Sequence, residues 1–157
     1  MAIITLNAAE QKLAKYVAKC RYQNARSRGK VDAKMGPQSN WETDLEGIAG
    51  EIAFCKHMNV YPDLETDLDS LPDVDAWHVV LNRVDVKTTA YPTGRLLAVL
   101  SKKGHATDTY ALMIGKFPEY RFAGFASASE LFNDDNIKDL GRGDGYAMDQ
   151  DKLRAYP

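Results

Sequence analysis

The chain changes character near residue 75, and that change limits what it can fold into. Up to about residue 58 its apolar residues recur at helical spacing. From residue 76 to 125 it is a series of short β-rich runs divided by turn residues. Its 157 residues suit one domain spanning 1–157. The class is α/β, with α+β as the alternative, helices leading and a mixed, mainly antiparallel sheet following. Asn7 suits the cap of a first helix reaching roughly residue 28, with Leu13, Val17 and Cys20 on its buried stripe and Gly29 at its end. Gly36-Pro37 keeps 30–40 from being helical throughout. Ser39 or Thr43 opens a second helix to about Met58, before Tyr61-Pro62. Strands are expected at 76–81, 84–89, 95–100, 110–116 and 121–125, with Asn82-Arg83 as a tight turn between the first two. Ser127 and Glu130 frame a short helix ending near Phe132, and 141–145 is a turn-rich loop before a closing segment at 146–153.

The apolar runs 96–100 and 111–114 are far too short to span a bilayer, and the first five residues lack the pattern of a secretory signal. Cys20 and Cys55 have no metal-ligand or disulfide-framework spacing and read as reduced thiols. A cytoplasmic protein with no membrane partner is the expectation.

Charge is uneven along the chain. The formal net charge is only -2. Residues 1–36, however, carry eight basic side chains (Lys12, Lys15, Lys19, Arg21, Arg26, Arg28, Lys30, Lys34) against Glu10 and Asp32. Residues 133–151 carry six aspartates against Lys138 and Arg142. A basic leading helix of this kind suits a polyanion, although a merely solvated basic face explains the charge about as well.

Chemistry concentrates at Val84-Asp85-Val86-Lys87. Alternate side chains of a strand share a face, so Val84 and Val86 point into a core while Asp85, Lys87 and Thr89 point the other way. A carboxylate beside an ammonium can hold a cation and orient a water. Asp73 and Asp75 enter the preceding strand, and converging aspartates suit a hard cation such as Mg²⁺. An exposed Asp–Lys pair of no functional weight is the plainer reading of this short pattern taken alone. In the second helix Gly47, Gly50 and Glu51 share one face. Each glycine costs a helix about 1 kcal/mol relative to alanine, so the pair predicts a close approach to another backbone. A glutamate on that packed face needs a partner.

The order Gly47-x-x-Gly50-Glu51 on a helix, Pro72-Asp73-x-Asp75, then Val84-Asp85-Val86-Lys87-Thr88-Thr89 on a strand resembles the PD-(D/E)XK nuclease superfamily. The resemblance covers roughly residues 43–125 and is strongest to small stand-alone members encoded by phages and other mobile elements. It implies a restriction-endonuclease-like core with an extra basic helix at the N-terminus. The implied activity is Mg²⁺-dependent endonucleolytic hydrolysis of DNA, with Mn²⁺ able to substitute, RNA as an alternative substrate, and a homodimer as a way to cut both strands. Carried onto this chain, Asp85, Asp75 or Asp73, and the backbone carbonyl of Val86 hold the metal. Glu51 reaches it directly or through water, and Lys87 positions the attacking water. Phosphate contacts are assigned to Arg21, Arg26, Arg28, Lys30, Lys34, Thr88, Thr89, Arg95, Lys102 and Lys103. A phage-encoded member would act in the host cytoplasm. The competing reading is a catalytically inactive nuclease-fold module that binds nucleic acid or a protein. One departure stands out. Only 101–108 separates the expected third and fourth strands, too few residues for the crossover that a parallel neighbour requires.

Overall fold

The computed structural model describes residues 2–27, 39–67 and 74–156. Strand β1 (Ile3–Thr5) precedes helix α1 (Ala8–Ser27), and helix α2 (Asn40–Met58) follows. The remaining elements are β2 (Ala76–His78), β3 (Asn82–Thr89), β4 (Leu96–Val99), β5 (Thr109–Lys116), β6 (Glu119–Ser127), α3 (Ala128–Leu131), β7 (Ile137–Asp139) and β8 (Asp144–Met148).

Helix α1 starts where its sequence says it should. Asn7 Oδ1 accepts from the Glu10 N–H at 2.9 Å while Glu10 Oε2 accepts from the Asn7 N–H at 2.7 Å, so two end donors are satisfied reciprocally. Ser39 and Glu42 make the same box for α2, which left-handed Asn59 closes at its other end. Helix α1 packs on α2, and α2 on one side of the main sheet, so that their small and aliphatic positions (Ala14, Val17 and Ala18; Ala49, Ile52 and Ala53) join one core with the strands.

That sheet has five strands in the order β1-β6-β5-β3-β2. Three of its pairings are antiparallel and one, β3 with β5, is parallel. The protein is therefore mixed α/β, with a mixed, mainly antiparallel sheet flanked by helices. A second sheet in the order β4-β8-β7 covers the other side, where Leu96, Tyr110, Leu112, Ile114 and Leu131 form a separate core. Val84 and Val86 belong to the helix-side core, as the strand's alternation requires.

Five points differ from the sequence reading. The β2–β3 turn lies at 79–81 rather than at Asn82-Arg83, because Asn82 takes a left-handed φ of 59° and already opens β3. His78 Nδ1 fixes that turn by accepting from the N–H groups of Val80 and Leu81. The strand expected at 95–100 leaves the main sheet and joins β8. Strand β5 can then lie parallel to β3, since the connection between them is the whole of 90–108, containing β4 and a short 3₁₀ turn instead of a crossover helix. Finally, β1 is a strand within a segment read only for a signal, and the loop expected at 141–145 ends inside β8.

Candidate functional site

Strand β2 pairs with only the first residues of β3, as the register Ala76↔Val84 to His78↔Asn82 shows. Past Val84 that edge has no strand partner among the described residues. Asp75 occupies the gap. Its N–H donates to the Val84 carbonyl at 2.9 Å, and its Oδ2 accepts from the Val86 N–H at 2.7 Å. The N–H and C=O of one strand residue point to the same side, so the Val86 carbonyl faces this edge too.

Asp85 points from β3 toward the second sheet and is 4% exposed. Lys87 Nζ lies 2.6 Å from its Oδ1, and Lys102 Nζ, from the crossover, lies 3.7 Å from its Oδ2. At that distance the Lys87 ammonium and the Asp85 carboxylate make a charge-assisted contact, so this buried acid already has a partner. Glu51 approaches from α2 on the other side of the sheet, with Arg21 Nη1 3.7 Å from its Oε2. Arg21 also donates to the backbone carbonyls of Glu65 and Asp63, tying the segment after α2 to α1.

Electrostatics bind these groups into one cluster. Burial, then repulsion from Asp75, raises the Glu51 carboxyl well above the usual range, with Arg21 opposing. Burial and repulsion from Asp85 raise Asp75 to about 6, against the Val86 N–H and the charges of Lys87 and Arg21. Burial alone would lower the Lys87 ammonium, but Asp85 and then Asp75 outweigh it and hold the group above its ordinary value. Cys55, one helical turn beyond Glu51, is pushed up to about 12 by burial and the same acids. Lys87 is thus a cation at neutral pH and unsuited to be a general base.

Half-buried Asp75 and buried Asp85 repel each other and offer the carboxylate oxygens that a hard cation takes. Among the described residues, no three His, Cys, Asp or Glu side chains already form a metal-holding group. Asp75 lies on the β3 edge, with Asp85 on one face of the sheet and Glu51 on the other, and lysine and arginine offset their charge.

The other expected site residues fare differently. Asp73, Arg28, Lys30 and Lys34 lie outside the described residues. Thr88 faces α2, where its side chain abuts Gly50; it is on the wrong side of β3 to join Asp85. Gly47 has open space around it, so only one of the two glycines serves a close approach. Thr89 Oγ1 accepts from the Tyr91 N–H at 3.3 Å and shapes the start of the crossover. Arg95 and Lys103 are exposed. Arg21 and Arg26 turn inward, Arg26 reaching Asp44 at 3.7 Å and stacking over Tyr22 at 4.7 Å. The inward role of Arg21 was readable in principle, because it stands four residues after buried Val17 on the same helical face. Lys102 gave no such signal, since its place depends on a crossover that no local pattern specifies.

Comparison with known proteins gives no match to any family model, curated protein or solved structure. Among the described residues no helix is long and apolar enough to cross a membrane.

Proposed function

We propose that the chain is a metal-dependent endonuclease that hydrolyses DNA phosphodiester bonds in the manner of the PD-(D/E)XK nucleases. One observation carries this reading: Asp75 hydrogen-bonds to the Val86 N–H on the edge of β3 beside Asp85, which the Lys87 ammonium approaches to 2.6 Å, with Glu51 on α2 raised by burial and by the charge of both acids. A core that needed only stability would gain little from gathering repelling acids in a low-dielectric place. Asp85, Asp75 and the Val86 carbonyl would hold a divalent ion, Mg²⁺ or Mn²⁺, with Glu51 beside them. That ion supplies Lewis acidity toward the phosphate and lowers the pKa of water. Lys87, held protonated, orients the attacking water through its N–H groups and offsets negative charge growing on the phosphate oxygens. Asp75 keeps β3 in register at the point of reaction by holding the Val86 N–H. A homodimer would present two such edges to the two strands of a duplex.

A second reading has its own supporting observation. Asp85 already faces two ammonium groups, Lys87 and Lys102, and a cluster compensated in this way could hold a nucleic-acid-binding or protein-interaction module together without catalysis. Incubation of duplex, branched and single-stranded DNA, and of RNA, with Mg²⁺, Mn²⁺ or EDTA separates the two. The nuclease reading expects cation-dependent cleavage leaving ligatable 5′-phosphate and 3′-hydroxyl ends, with Asp85→Asn and Lys87→Ala each slower by about a hundredfold or more. Binding without cleavage under every cation would establish the second reading.

A further inference from the structure

We infer that the outer face of α1 is a docking stripe for the phosphate backbone of duplex nucleic acid, formed by Lys12, Lys15, Tyr16 and Lys19. This rests on the nucleic-acid part of the preceding proposal and not on catalysis. At 100° per residue these four side chains fall within an arc of about 100°, opposite the buried Ala14, Val17 and Ala18. All four are exposed, and Tyr16 is 64% exposed in the middle of the lysines. From Gln11 to Ser27 the helix has no acidic residue. Its one glutamate, Glu10, lies on the far side of the helix, paired with Lys56 at 2.9 Å. Among the described residues none of the three ammonium groups has a carboxylate partner, while the arginines of the same helix do. Lys15 Nζ lies 5.3 Å from the Phe117 ring centroid, which steadies its stem against the β5–β6 turn.

Spacing favours nucleic acid over other polyanions. Lys12 to Lys19 spans about 10.5 Å of helix axis, and one strand of B-DNA advances about 3.4 Å per phosphate, so the three ammonium groups fall along a run of about four phosphates. A membrane surface would require an apolar face beside the lysines, and that face of α1 is spent on the core. Tyr16 adds a ring and a hydroxyl between the charged stems, a neutral contact on the same track.

The stripe is tested by fluorescence anisotropy with a 20–30 base-pair duplex in Ca²⁺, over a salt series from 50 to 200 mM, using the full chain. The expected result is that K12Q/K15Q/K19Q flattens the slope of log K against log salt by about 2.7, equivalent to about 40-fold less affinity lost across that range. The corresponding triple arginine variant should keep the wild-type slope. Tyr16→Ala should weaken binding a few-fold without changing the slope, since it removes no charge. Circular dichroism confirms that each variant is folded. An unchanged slope in the glutamine variant, or tighter binding to phosphatidylserine vesicles than to duplex, overturns the inference. If wild type cleaves DNA and the slope is unchanged, the stripe fails and the nuclease reading stands. If nothing is cleaved but the slope flattens, the stripe stands alone.

Discussion

At the scale of single residues, the carboxylates at the β3 edge set a pH signature that can be measured without substrate. Asp75 is raised from 3.8 to about 6, chiefly by burial and by Asp85. Between those values the folded chain holds a proton that the unfolded chain has released, so stability falls as pH rises through the window. Glu51, raised by burial and Asp75, acts with the same sign and extends the loss upward. Asp75→Asn removes this penalty while keeping an oxygen able to accept from the Val86 N–H. Denaturant unfolding in EDTA should therefore show Asp75→Asn gaining on wild type between pH 4.5 and pH 7. An equal difference at both pH values would count against burial of the acid. The types and order of these residues were legible in the sequence: Asp85 and Lys87 were assigned to one face of a strand, and they do share it. The pairing of Lys102 with Asp85 was not, because it depends on contact between segments distant in sequence.

At the scale of elements, α2 lies on β3 through a single glycine. A Cβ at Gly50 would stand 2.9 Å from both Cβ and Cγ2 of Thr88, a β-branched side chain with little freedom to move aside. Gly50→Ala should cost about 1–3 kcal/mol by overpacking, more than its gain in helix propensity. Gly47→Ala, entering open space in the same helix, should stabilise by about 0.5–1 kcal/mol. Opposite signs in thermal or urea unfolding are the expected outcome; two changes of the same sign would mean that α2 does not sit as described. Helix ends and capping were readable because Asn7, Ser39 and Ser127 act on their own neighbours. Sheet membership was not. The run 95–100 has the composition of a strand, but nothing local tells Leu96 whether its partner is Met148 or a residue of β3.

At the scale of the whole molecule, the proposed cation would tie α2, the loop before β2, and β3 together, so its binding should raise global stability. With Ca²⁺ at a hundred times its dissociation constant the gain is about 2.7 kcal/mol, read as a rise in Tm that Asp85→Asn abolishes. A Tm indifferent to Ca²⁺, Mg²⁺ and Mn²⁺ alike would leave the compensated, non-catalytic module as the better account. The regional charge imbalance seen along the sequence survives folding only in part: the arginines of α1 turn inward and its lysines stay outside. Net charge by segment showed that the leading helix was basic, and helical period was needed to say which of its cations remain available.

The parallel pairing of β3 with β5 also orders events in time. Strand β3 cannot gain its inner neighbour until the polypeptide has passed residue 108 and the intervening excursion has folded back. Joining partners across that connection adds a loop-closure cost that the short turn between β2 and β3 does not carry. A ribosome paused before that point holds Glu51, Asp75, Asp85 and Lys87 already synthesised, with β3 still lacking its inner neighbour.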